Sequence, residues 1–135
     1  MDSTKAPGIR IDQIIVEGFS FKKNEQLDLG KTYNVNIAFS NNYQPHPDGV
    51  KARLLSTVKI TEQSAGLFDL ELSYGLYAAI IESERNMTLQ EFMENNAPAI
   101  VYQFARETIL TLTQKAGIPL VLPPMNLIKV KEAAD

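Results

Sequence analysis

In four stretches between Ile9 and Tyr77, apolar and polar residues alternate with a period of two, and few folds accommodate that pattern. Successive side chains of a strand point to opposite faces, so alternation marks strands with one dry face and one wet face. From Ile9 to Phe21 one face carries Ile9, Ile11, Ile15, Phe19 and Phe21, interrupted by Gln13 and Glu17. The other carries Arg10, Asp12, Ser20 and Lys22, with Ile14 and Val16 among them. YNVNIAFS sends Tyr33, Val35, Ile37 and Phe39 one way and Asn34, Asn36 and Ser40 the other. KARLLSTVKITE sets Ala52, Leu54, Val58 and Ile60 against Lys51, Arg53, Thr57 and Lys59. LFDLELSYGLY sets Phe68, Leu70, Leu72, Tyr74 and Leu76 against Asp69, Glu71 and Ser73. Four such strands predict an antiparallel sheet covered on one side only. The turn-rich segments NNYQPHPDG and EQSAG suit sequential hairpins, so a meander is expected.

After Ile81 the periodicity changes. Thr88-Leu89-Gln90-Glu91 has the spacing of a capping box and predicts a short helix carrying Leu89, Phe92 and Met93. Asn96 and Pro98 suit the start of a second, longer helix, and Gly117 ends it at about Ala116. At 100° per residue Val101, Tyr102, Phe104, Ala105, Ile109, Leu112 and Ala116 fill an arc of about 160°, wide enough to cover a sheet. Gln103, Arg106, Glu107, Thr113 and Gln114 lie largely opposite. Ile100 and Leu110 fall on the flank expected to be wet. Single exposed aliphatics are ordinary; the alternative is a second buried contact, most simply another subunit. The expected fold is α+β: a four-stranded antiparallel meander with one long and one short helix on one face. One domain spans residues 1–135, with strands at about 9–82, helices at about 88–116 and a Pro-rich segment at 117–135.

Function is approached first by exclusion. A net charge of −3 with scattered basic residues argues against a nucleic-acid surface. No cysteine is present, so disulfides and thiolate metal sites are excluded. His46 is the only histidine and sits in a Pro-rich loop, which leaves no multi-histidine metal site and no marked nucleophile partner. There is neither a Gly-rich phosphate loop nor a G-x-S-x-G elbow. Glu82, Glu84, Glu91 and Glu94 read as a solvated acidic face. No enzyme activity, cofactor or metal is therefore expected. No apolar run approaches the length of a membrane span, and the start MDSTKAPGIR lacks the apolar core of a signal peptide. A cytoplasmic location without membrane insertion is the expectation. What remains is apolar surface in segments that are neither clean strand nor clean helix: GLYAAII, LQEFM and IPLVLPPMNLI. They complete the core or, being rich in flexible and aromatic side chains, suit promiscuous apolar recognition.

The run APAIVYQFARETI followed by GIPLVLPPMNL resembles the signature region of the SecB family of export chaperones. The resemblance rests on Pro98, Ile100, an aromatic stretch, Ala105-Arg106-Glu107, Ile109, Gly117, Pro119, Leu122, Pro124 and Asn126. It implies an ATP-independent chaperone for unfolded polypeptides, assembled as a homotetramer, a dimer of dimers whose long helices lie between two sheets. By that resemblance Ile100, Leu110, Arg106 and Glu107 belong to an oligomer interface. The client-binding residues would be Leu76, Tyr77, Ile80, Ile81, Phe92, Met93, Met125 and Leu127. Delivery to SecA would use acidic positions on the exposed sheet face, here Glu17, Asp69 and Glu71. Two first-strand positions that are acidic in well-known members are Gly18 and Lys22 in this chain. The segment Ile128 to Ala134 is expected to form at most two turns of helix, shorter than the family's second helix. Two other readings stand beside the chaperone: a SecB-fold module dedicated to one partner, such as a toxin–antitoxin pair, and a small-ligand binder.

Overall fold

The computed structural model describes residues 8–28, 30–81, 87–124 and 130–132, the last three as backbone. Four long strands, β1 (Ile9–Lys23), β2 (Val35–Pro45), β3 (Lys51–Glu62) and β4 (Phe68–Ile80), precede two helices, α1 (Leu89–Asn95) and α2 (Ala97–Lys115). A three-residue strand, β5 (Val130–Glu132), follows. The sheet order is β1-β4-β3-β2-β5, with β1 to β4 antiparallel and β5 parallel to β2. The expected four-stranded antiparallel sheet is present, but only β2, β3 and β4 form the meander. β1 lies beside β4, which makes the connectivity a Greek key run in reverse. The link between Lys23 and Val35 must therefore pass three strand spacings, about 15 Å, along the end of the sheet. Asn24 N donates to Leu67 O at 2.7 Å as that link leaves β1.

β2 continues through Asn41 and Asn42, residues the sequence suggests for a turn. Their neighbours explain the difference: Ser56 Oγ donates to Asn41 Oδ1 at 2.6 Å, and Arg53 Nη1 donates to Gln44 Oε1 at 2.9 Å. Polar side chains that compete for backbone groups in isolation are satisfied across the strands here. At the other end of the chain Val130–Glu132 pairs with Phe39–Asn41 as a strand and not as a turn of helix.

The helices lie on one face, α1 over β2 and β3, α2 over β3 and β4. The capping box forms as expected: Glu91 N donates to Thr88 Oγ1, and Thr88 N donates to Glu91 Oε1, both at 3.0 Å. The bond from Thr88 N is the main cause that holds the Glu91 carboxyl below its ordinary pKa. Asn96 does not cap α2 with its side chain; it is itself helical and donates its N–H to Phe92 O, so α1 runs almost directly into α2. Gly117, at φ +84°, closes α2. Gly117 N donates to Gln114 O and Ile118 N to Thr113 O, each at 3.0 Å, the paired bonds of a Schellman motif.

The buried stripe of α2 is Ala97, Pro98, Val101, Tyr102, Ala105, Ile109 and Thr113. Thr113 lies inward against expectation because its hydroxyl is fully used. It donates to Ile109 O at 2.6 Å and accepts from Leu120 N at 2.9 Å, tying the segment after the helix back onto it. Phe104 is displaced outward in exchange. Tyr102 packs its ring 5.3 Å from that of Phe39 and donates its phenol to Pro123 O at 2.5 Å. Burial pushes that phenol's pKa up, and the ring pair adds about 1 kcal/mol beyond its buried area.

The β3–β4 turn is organised by one carboxylate. Glu62 accepts from Ser64 N and Ser64 Oγ at 2.7 Å, from Ala65 N at 2.9 Å and from Leu67 N at 3.2 Å. These donors favour the charged form and lower its pKa to about 2. A folded-state value below the unfolded one stabilises the fold above the ordinary carboxyl pKa of 4.5, and that contribution is lost as pH falls toward 2. Glu62→Gln is expected to lower the urea midpoint at neutral pH. The gap from wild type should then narrow steadily in titrations below pH 4.5. A gap independent of pH would show that the charge is not what holds the turn.

Candidate interaction surfaces

The spacing of apolar residues in β1 is irregular, at Ile9, Ile11, Ile14, Val16, Phe19 and Phe21, with steps of two and three. The register accounts for it. Two bulges, at Asp12 and Glu17, each insert one residue opposite β4 and reset the alternation. Ile9, Ile11, Ile14, Val16, Phe19 and Phe21 thereby all stand opposite Ile80, Ala78, Leu76, Tyr74, Leu72 and Leu70, on the side where the helices lie. Ile15, which plain alternation assigns to that side, faces the other way opposite Gly75.

No helix crosses β1. Ile11, Val16 and Phe19 remain 36%, 47% and 39% exposed although they face the helix side. Phe104 of α2 is 44% exposed, and its ring lies 6.4 Å from that of Tyr74, the residue paired with Val16. The result is one apolar surface running from the outer strand onto the flank of α2, bordered by the free edge of β1. A long edge strand with exposed apolar side chains is a template for pairing.

The client-binding set proposed from the family resemblance separates in the structure. Leu76, Phe92 and Met93 are buried in the monomer's own core and offer no surface to a ligand in this conformation. Alternation already places Leu76 on the covered face; Phe92 and Met93 look unexplained in sequence because the packing of α1 on β2 and β3 is a tertiary contact. Ile80 is partly buried against the same core, while Ile81 is exposed. Tyr77 is on the helix-free face, hydrogen-bonded to Glu17 at 2.5 Å. Met125 and Leu127 lie outside the described residues.

Of the interface set, Ile100 packs partly buried against the core. Leu110 lines a groove of about 340 Å³ with Gln103, Arg106, Glu107, Val121 and Leu122. The flank expected to be wet is thus half covered by the chain itself, because the segment after Gly117 folds back along α2 and buries Leu122. Val121, on its outer side, is 73% exposed. Arg106 is partly buried and Glu107 exposed.

The helix-free face carries the acidic candidates, and bases surround each. Glu17, projected by its bulge, accepts from Tyr77 and lies 3.3 Å from Arg53 Nη2. The Arg53 guanidinium also sits 5.8 Å above the Tyr77 ring. Glu71 is 3.4 Å from Lys59, and Asp69 is paired in register with Lys22. Exposed pairs of this kind contribute little stability, but they cancel the acidic field that a basic partner would feel. Among the described residues no three His, Cys, Asp or Glu side chains come together to hold a metal.

An open sheet of four long antiparallel strands with a long helix on one face and an uncovered apolar margin defines a SecB-like fold. The family model described as preprotein translocase subunit SecB matches residues 2–132, and the chain belongs to that family. A relative from Rickettsia felis, the protein-export protein SecB, is 30% identical over 111 residues. That alignment covers 79% of this chain and 66% of the relative, so the chain spans a little under two-thirds of that protein's length. In structure it is similar to a SecB-like chaperone of Mycobacterium tuberculosis, solved in complex with a ChAD peptide from an antitoxin. The TM-score is 0.71, at 12% identity with 87% of each chain covered, so it is the fold that is shared.

Gly75 lets the Glu17 cluster form, since a Cβ there would overlap the Glu17 carboxylate. The hydrogen bond to Glu17 is the main cause of a raised Tyr77 pKa. Gly75→Ala is expected to push Glu17 aside and return the Tyr77 phenol toward its ordinary value. An NMR titration of the tyrosine rings reads the shift; an unmoved Tyr77 would place Glu17 elsewhere in solution.

Proposed function

We propose that the protein is an ATP-independent molecular chaperone that holds unfolded polypeptides in the cytoplasm and works as an oligomer. Membership of the SecB family carries the chaperone reading, and the uncovered apolar margin of β1 and Phe104 carries the oligomer. Holding unfolded chains needs apolar area without chemistry. Each Å² buried contributes about 25 cal/mol whatever the client's sequence. An apolar margin beside an edge strand is a template for a partner. Pairing of β1 with β1 of a second copy, with the Phe104 flanks meeting across it, supports the dimer step of a dimer of dimers. The Leu110 and Val121 groove, rimmed by Arg106 and Glu107, suits the second contact. Exposed apolar side chains left outside these contacts, Val50 and Ile81 among them, are the reading's client-facing residues.

A dedicated, single-partner module is the second reading. It is favoured by the ion pairing of Glu17 with Arg53 and of Glu71 with Lys59, which weakens the case for docking a basic domain of SecA. Asp69, opposite Lys22 in register, is the acidic candidate on which delivery to SecA would rest.

Suppression of aggregation, measured with several chemically unrelated unfolded proteins, tests holding. Broad suppression without nucleotide is expected; selectivity for one client favours the dedicated module, and no suppression rejects the general chaperone. Val16→Glu tests assembly. A charge forced into an apolar seam costs several kcal/mol, so association should weaken by about a hundredfold or more. Light scattering should report a smaller folded species. An unchanged mass, or a monomeric wild type, would remove β1 from the interface.

A further inference from the structure

On the helix-free face one rung of the sheet crosses all four long strands. Gln13, Tyr77, Arg53 and Gln44 stand side by side in register on β1, β4, β3 and β2. All four line a pocket of about 450 Å³, a volume within the range of small-ligand sites. Pro45, Ala52 and Ala78 add apolar lining, and β1 contributes Asp12, the residue it inserts as a bulge. The β2–β3 turn supplies His46, Pro47 and Lys51. That turn is fixed by Asp48, whose Oδ1 accepts from Val50 N at 2.8 Å and from Lys51 N at 3.0 Å.

The chain carries a net charge of −3, yet this lining sets Lys51, Arg53 and His46 against a single carboxylate, Asp12. That carboxylate is already engaged, since Arg10 Nε donates to Asp12 Oδ1 at 2.5 Å. Arg53 is held in place by its own neighbours. Its Nη1 donates to Gln44 Oε1 at 2.9 Å, its Nη2 lies 3.3 Å from Glu17, and its guanidinium sits 5.8 Å above the Tyr77 ring. Its Nε is buried and has no partner among the described residues. Two acceptors leave most of a guanidinium's N–H donors unused, and one whose geometry is fixed loses little freedom on taking another.

We infer that this pocket binds a small aromatic carboxylate, its charge taken by Arg53 and Lys51 and its ring laid against Tyr77, Pro45 and Pro47. A bare inorganic anion would leave the apolar lining unused, and an uncharged apolar molecule would bury the bases without a counter-charge. The pocket is on the opposite face from the apolar margin of β1, so it does not depend on the holding proposed above.

The test titrates the full chain with naphthoate near neutral pH and follows the backbone amides by NMR. Saturable shifts are expected in the Gln44–Lys51 turn and around Tyr77. Naphthamide, which keeps the ring and loses the charge, should bind at least about tenfold more weakly. Arg53→Gln and Lys51→Gln should each weaken naphthoate binding severalfold, with urea titrations confirming the fold. Lys51, outside the Arg53–Glu17–Tyr77 cluster, carries the test if Arg53→Gln unfolds. Lys59→Gln, which removes a base elsewhere on the same face, should bind as wild type does. Equal binding of acid and amide overturns the site, as do shifts centred on Val16 and Phe104. A loss in Lys59→Gln as large as in Lys51→Gln reduces the effect to general surface charge and also overturns it. So does an absence of saturation by about 10 mM, where a ligand of this size should be bound.

Discussion

The whole architecture follows from a mismatch of widths. Four strands at their usual spacing make a sheet about 19 Å across, apolar on one face, whereas one helix covers about 10 Å. α2 therefore lies over β3 and β4, α1 covers the β2 side, and the segment after Gly117 fills beside α2 with Leu120 and Leu122. Tyr102 joins these layers, its ring on Phe39 of the sheet and its hydroxyl on Pro123 of the returning segment. β1 receives little of this cover: Ile9 is buried and Ile14 and Phe21 partly so, but Ile11, Val16 and Phe19 stay exposed. A fold with this inventory cannot close itself, and its outer strand must find a partner or remain apolar and wet.

The bulges at Asp12 and Glu17 sharpen that outcome. Without them Ile14 and Val16 would face the bare side and the helix-side stripe would be broken. With them every apolar residue of β1 except Ile15 gathers on one face. The same bulge projects Glu17 over Gly75 toward Arg53 and Tyr77, which turns a carboxylate that could serve docking into part of a local cluster. One backbone irregularity thus gathers apolar side chains on one face and sets a carboxylate against a base on the other.

The two margins of the sheet differ on physical grounds. The β1 side exposes broad apolar area next to a long edge, which suits a large, shape-specific partner such as a second copy. The β2 side is closed above by α1 and is paired along part of its outer edge by β5.

Alternation in Tyr33–Phe39, Lys51–Glu62 and Leu67–Tyr77 was enough to assign three strands and their buried faces, because a period of two leaves only one way to keep charges wet. The Thr88–Glu91 box and Gly117 likewise marked helix ends through local backbone chemistry that needs no distant partner. Local pattern could not show that β1 joins β4, since strand order depends on where an eleven-residue link crosses the sheet. Nor could it reveal the bulges, as an extra residue is visible only against the strand it opposes. Burial of Phe92, Met93 and Thr113 and exposure of Phe104 were likewise decided by packing, through contacts between segments far apart in the chain. Composition and period determined which residues must leave water; only the tertiary structure decided which of them found cover within this chain.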